Sequence, residues 1–234
     1  MQQAKVILIC GYRRTGKDTL CAILSNNNQS TSLFKWRVYR HPSLLTKYIT
    51  NKNASTYVRT AFADALKYEA SQVYSIPLVI SDADKDIKQF KHNEDVVRFQ
   101  GNSTFFTKQS CKDVLRSARD IYIEWGAFRR SQDIDYWCKA AFNNVPNDST
   151  TVCVVTDWRY HNEAKYVIDT FSDVVTVRIY RSDVPEPDAD IDSEHNLDDY
   201  QTDLLLIQND IEGEFERVVE KFPQYIQYIP CECI

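Results

Sequence analysis

Glycine is scarce in this chain, with five in 234 residues. Turns that need conformations resisted by side chains can therefore form in few places. Two of the five, Gly11 and Gly16, fall in one short stretch. Long hydrophobic runs are absent as well. The apolar "VILIC" is cut off by Gly11 and Arg13, far short of a signal-peptide core or a membrane span, so a cytoplasmic chain with no membrane partner is expected. Positive charge is not in excess: 28 Lys and Arg face 33 Asp and Glu, for a net charge of −5. That removes the general electrostatic reason to bind nucleic acid, while leaving room for a local basic pocket that takes a small anion. The seven cysteines (10, 21, 111, 138, 153, 231 and 233) show no CxxC spacing, which speaks against a zinc ribbon or disulfide framework and fits a reducing compartment. Cys10 and Cys153 read as small core residues, and the terminal "CEC" as a frayed tail. None of the four histidines joins a zinc-ligand cluster or pairs with a nucleophile.

What the chain does contain is a 43% hydrophobic content, enough for a buried core, arranged as alternating strand and helix signals. Strands are expected at "AKVILIC", "ASTYVRTAF", "TTVCVVT", "DVVTVRIY" and "DLLLIQN". Helices are expected at "KDTLCAILS", "ADALKYEASQVYSI", "CKDVLRSARDIYIEWGAF", "DYWCKAAFNNV", "HNEAKYVIDTF" and "EGEFERVVEKF". Buried strands separated by helices indicate an α/β fold, a mostly parallel five-stranded sheet with helices on both faces. Loops fall at 25–32, 81–108, 145–149 and 184–194, where Asn, Ser, Asp and Pro concentrate. There is no internal repeat.

The stretch "VILICGYRRTGKDT" carries the chemistry. It runs from an apolar strand through a glycine-bracketed turn to a lysine at a helix start. Binding a polyphosphate there needs a tight strand-to-helix turn, converging backbone N–H groups and a lysine for the terminal phosphates. Gly11 and Gly16 supply the permissive backbone, Arg13, Arg14 and Thr15 fill the loop, and Lys17 brings the charge. Asp18 stands where a magnesium-binding hydroxyl is usual; it can act on Mg²⁺ or cap the helix. Thr19 keeps a hydroxyl one residue later.

"GYRRTGKDT" resembles the G-x-x-x-SGKDT loop of bacteriophage-type deoxynucleoside monophosphate kinases; the GKD variant is shared with animal-type phosphomevalonate kinases. Four further segments resemble that phage-type family in order: "AFADALKYEASQVYSI", "RDIYIEWGAFRRSQDIDYWCKAAF", "VCVVTDWRYHNEAKYV" and "DSEHNL…DLLLIQND". Together they cover about half the chain, and segments 30–55 and 81–108 have no counterpart.

The resemblance implies a three-layer α/β/α P-loop kinase in one domain. Its core would take residues 1–30, 56–70 and 150–223, with a helical acceptor-binding insertion at about 71–148 and a lid-like loop at about 182–196. It implies ATP as donor, Mg²⁺ as cofactor and small-molecule nucleotides as partners, with a homodimer left open. Lys67, Arg116, Arg119, Arg130 and Arg159 would hold the acceptor, with Arg130, Arg159, Lys17 and Asp157 at the chemistry. Asp157, at the carboxyl end of a strand, would join Asp18 and Thr19 around the metal. Arg181 and Asn209 would contact the donor nucleotide, and Glu163 reads as an i,i+4 partner that orients Arg159. Arg116 and Arg119 are expected on one helical face, with Arg119 and Arg130 bracketing a helix and a turn at Gly126. The acidity of the Pro/Asp-rich stretch 183–193 argues against that loop clamping phosphate. Other readings of the same loop are a phosphomevalonate kinase, or a nucleotide-binding regulator without small-molecule turnover.

Overall fold

A computed structural model describes residues 4–25, 36–40, 56–78, 84–87, 89–90, 115–188, 192–208 and 213–230. They divide into two compact units, Met1–Ala61 with Phe142–Ile234, and Phe62–Ala141.

The first unit is built on a mostly parallel mixed sheet. Its strands are β1 (Lys5–Cys10), β2 (Trp36–Arg40), β3 (Thr56–Thr60), β4 (Thr151–Val155), β5 (Asp173–Tyr180), β6 (Leu204–Gln208) and the two-residue β7 (Ile229–Pro230). The spatial order is β3-β4-β1-β5-β6-β2-β7. The first five of these are mutually parallel, while β2 runs antiparallel to both β6 and β7. β1 lies between β4 and β5, with Ile7 opposite Val154 on one side and Val175 on the other.

Every residue of β1 and β4 is buried, as continuous apolar runs between two covered faces should be. On one face Ile7, Ile9, Val154, Val177 and Leu206 pack with Leu20 and Cys21 of α1 (Lys17–Ser25). On the other, Leu205 and Ile207 pack with Val218 of α7 (Glu214–Lys221) and with Tyr12, Phe222 and Tyr225. The alternation of Leu205, Leu206 and Ile207 between faces is the period of two that a strand imposes. Cys10 and Cys153 are buried core residues, as the sequence indicates.

The sheet thus has seven strands among the described residues rather than the expected five. The extra two are the antiparallel pair at the β6 edge. β7 ends in Pro230, which cannot donate to a further strand. The remaining helices of this unit are α5 (His161–Thr170) and the four-residue α6 (Asp192–His195).

The second unit contains α2 (Phe62–Tyr74), α3 (Ala118–Gln132) and most of α4 (Tyr136–Phe142). Two expectations are corrected here. α3 begins at Ala118, because Ser117 caps it: the Ser117 Oγ accepts from the Asp120 N–H at 3.1 Å, and the Asp120 carboxylate accepts the Ser117 N–H at 2.9 Å. Arg116 therefore lies before the helix, in a backbone bridge with Phe90, and not on the face of Arg119. Gly126 is inside α3 rather than in a turn. A methyl group there would come within 2.6 Å of Leu66 Cδ1, the tip of an α2 side chain, so α2 and α3 pack closely at this point. Trp125 and Trp137 are interior, and Arg129 lies over the rings of Trp125 and Tyr136 at 4.8 and 4.7 Å. Among the described residues no helix is long and apolar enough to cross a membrane.

Candidate anion-binding site

The carboxyl end of β1 runs directly into the turn that precedes α1. Three residues in this turn have positive φ: Gly11 at 135°, Arg14 at 68° and Gly16 at 97°. Gly11 has no alternative, since a methyl group on it would sit 2.5 Å from the Ile179 carbonyl oxygen of β5. Thr15 is buried and its hydroxyl donates to the Tyr12 carbonyl at 2.8 Å, closing the turn from inside. Lys17 folds back over the loop, and its Nζ donates to the carbonyls of Gly11 and Tyr12 at 2.6 and 2.7 Å. Burial, and next the nearby Arg159 charge, lower the Lys17 ammonium to about 8.

Arg13 and Arg14 are exposed on the loop's outer side. The backbone N–H of Arg13 donates to Glu194 Oε2 of α6 at 2.9 Å. The other oxygen of that carboxylate pairs with the guanidinium of Arg159, whose Nη1 also reaches the Ser193 carbonyl at 3.3 Å. Lysine, arginine, a loop amide and a glutamate thus converge at one end of the parallel strands, where open α/β sheets bind ligands. A cavity of about 10 Å³, room for one water, remains between Gly11, Arg159, Arg178 and Glu194.

Below the loop lies a second polar layer. The Tyr12 hydroxyl donates to Asp198 Oδ2 at 2.9 Å, and His195 Nδ1 meets the same oxygen at 2.8 Å. That hydrogen bond raises the His195 imidazole above its usual value. Arg178, fully enclosed, donates to the Tyr225 hydroxyl at 2.9 Å and to the Leu197 carbonyl, and lies over the Phe222 ring. Residues 192–198 are in this way tied to the loop from two sides.

The expected site residues separate into those gathered here and those elsewhere. Residues 11–17 and Arg159 form the cluster just described. Asp157 lies just past β4, after Thr156, and is partly buried. Asp18 is exposed and its Oδ1 accepts from Arg59 Nε of β3 at 3.0 Å, so its partner is an arginine, beyond the two roles considered from sequence. Thr19 is exposed in the first turn of α1. Arg181 makes a two-pronged pair with Asp183, at 2.9 and 2.6 Å. Asn209 lies outside the described residues. Glu163 accepts the backbone N–H groups of Arg159 and Tyr160 at 2.8 and 3.0 Å, so it fixes the chain at the start of α5 rather than the Arg159 guanidinium. In the second unit Lys67 pairs with Asp64 at 3.4 Å, Arg119 with Asp86 and Arg116 with Glu124, while Arg130 lies beside Gly126.

Glu194, His195, Asp198 and Tyr12 were missed as functional candidates. "DSEHNL" belongs to a segment that carries the family resemblance, but nothing local in it marks an anion site, and the acidity of 183–193, which runs into it, argues against phosphate clamping. Among the described residues no group of three or more His, Cys, Asp and Glu is arranged to hold a metal. No model of a known protein family matches this chain, and no curated protein matches it.

Proposed function

We propose that the chain is a P-loop kinase that moves the γ-phosphate of ATP onto a deoxynucleoside 5′-monophosphate, giving ADP and the deoxynucleoside diphosphate. The observation that carries this reading is the turn at residues 11–17: positive φ at both glycines, a lysine folded over the loop, and Arg159 brought to the same point by the segment between β4 and α5. The parallel order β3-β4-β1-β5-β6, with β1 central and the turn at its carboxyl end, supports the three-layer P-loop kinase fold within this reading.

In this transfer an oxygen of the acceptor phosphate attacks the γ-phosphorus, and the bond to the ADP oxygen breaks. The attacking oxygen is already anionic, so positioning and charge neutralisation matter more than a base. Lys17 would leave its two carbonyl partners for the terminal phosphates, and Arg159 would offset charge on the transferring group. The resemblance assigns the acceptor to Lys67, Arg119, Arg130 and Arg116. The oxygen donors of Asp157, Thr19 and Asp18 are the hard kind that Mg²⁺ takes. Asp18 would join only by leaving Arg59 or through a water. Bound there, Mg²⁺ would neutralise phosphate charge.

ADP release measured with ATP and each of dTMP, dGMP, dCMP, dAMP and their ribose forms tests the proposal. At least one monophosphate is expected to stimulate release; stimulation by none defeats it, and transfer to phosphomevalonate alone would replace it. A second outcome follows from the lowered Lys17 ammonium. At about pH 8.5 the free protein holds Lys17 largely neutral, and a bound polyphosphate raises it back, so binding takes up a proton. At about pH 6.5 Lys17 is charged in both states and contributes no uptake. Calorimetry of ATP binding in buffers of different ionisation heat reads the difference, and equal uptake at both pH values would contradict it.

A further inference from the structure

We propose that Glu194 is a resident anion in the phosphate loop, occupying a phosphate position that nucleotide must win by displacing it. The inference rests on reading residues 11–19 as a phosphate loop, and it concerns how that loop is regulated.

Three observations carry it. The Glu194 carboxylate takes a loop N–H, that of Arg13, with one oxygen and the Arg159 guanidinium with the other. These are the two kinds of donor that a phosphate oxygen needs, a turn amide and an arginine fork. The side chain is 8% exposed, and the space left beside it holds about one water, so a phosphate and this carboxylate cannot share the position. Finally, Glu194 is anchored: its neighbour His195 and the loop residue Tyr12 both bond to Asp198, which holds α6 against the turn it fills.

A residue that only oriented Arg159 would have no reason to take the loop amide as well. Glu194 does both, which is the behaviour of a competitor. With Lys17 bonded to the loop carbonyls and Glu194 on the Arg13 amide, the loop's lysine and one of its amides are already engaged. Nucleotide binding then carries the cost of opening this closed form, and apparent affinity falls by the fraction of loops that are open. Release of Glu194 also frees Arg159 at the moment a phosphate arrives.

The test uses the full chain with two probes, ATP and inorganic tripolyphosphate, titrated by calorimetry. Glu194→Gln keeps the shape and an acceptor for Arg13 but removes the charge, and Glu194→Ala removes the group. Both are expected to bind the probes about tenfold more tightly than wild type. Unchanged or weaker binding by the two variants, with wild-type binding intact, overturns the proposal and leaves the phosphate loop standing. Absence of probe binding in wild type and variants alike overturns the loop reading and this proposal together. A measurement on the wild type alone guards against misfolded variants. Tripolyphosphate should accelerate amide hydrogen exchange across 193–198 as α6 is released, and slowed or unaltered exchange there overturns the proposal.

Discussion

Gly11→Ala lowers the stability of the fold by about 3–5 kcal/mol, the sum of a strained backbone and an overpacked contact. The φ of 135° is one that L-residues rarely adopt, and the new methyl would meet the Ile179 carbonyl oxygen at 2.5 Å and Thr15 Oγ1 at 3.0 Å. Ile179 belongs to β5, hydrogen-bonded between β1 and β6, so it cannot step aside. Urea unfolding measures this as a shift of the midpoint at constant slope. Gly213→Ala is the matched control. Its φ is 86° with nothing within 4 Å, so only the backbone term of about 1 kcal/mol applies. Equal losses at the two positions would refute the close approach of β5 to the loop.

Under the proposed kinase function, Lys17→Ala is expected to lower kcat/KM for phosphoryl transfer by about 10²–10³-fold, the usual loss when one preorganised donor to a developing charge is removed. The fold should tolerate the change. The folded Lys17 titrates at about 8, below its ordinary value of 10.5, so its burial opposes folding at every pH below about 8, and that opposition fades as pH rises toward the unfolded value. Alanine removes the opposition along with two hydrogen bonds, and the two losses have opposite sign. Thermal melting within a few degrees of wild type, combined with lost turnover, is the expected pair of results. Turnover at the wild-type level would remove Lys17 from the chemistry.

The loop was legible in the sequence because its requirements are local: adjacent residues make the turn, and two of five glycines gather there. The parallel strands were legible for a similar reason, since a strand buried on both faces is apolar throughout. β2 was not. "WRVYR" carries two arginines in five residues, and its place depends on pairing with β6, far along the chain. β7 has only two residues and a proline, so no propensity marks it. The start of α3 was misjudged because apolar periodicity continued through Arg116, while Ser117 and Asp120 already spelled a cap. Glu194 is not legible because no local pattern ties it to the loop, and the acidity of the preceding 183–193 argues against phosphate there; yet a carboxylate is itself an anion and uses the same donors.

The position of β1 sets the order in which the protein can be made. Its partners are β4 and β5, with Lys5 in register with Val152 and with Asp173, so ribosomal synthesis must run on from Lys5 to these distant residues before β1 gains either neighbour. Such distant pairings carry a large closure entropy and slow folding. Until then "VILIC" is an unpaired apolar strand on a nascent chain, the kind of segment chaperones hold and aggregates recruit. The turn at Gly11 is completed only when Ile179 arrives beside it, so this loop closes late in folding even though the residues that form it are adjacent in sequence.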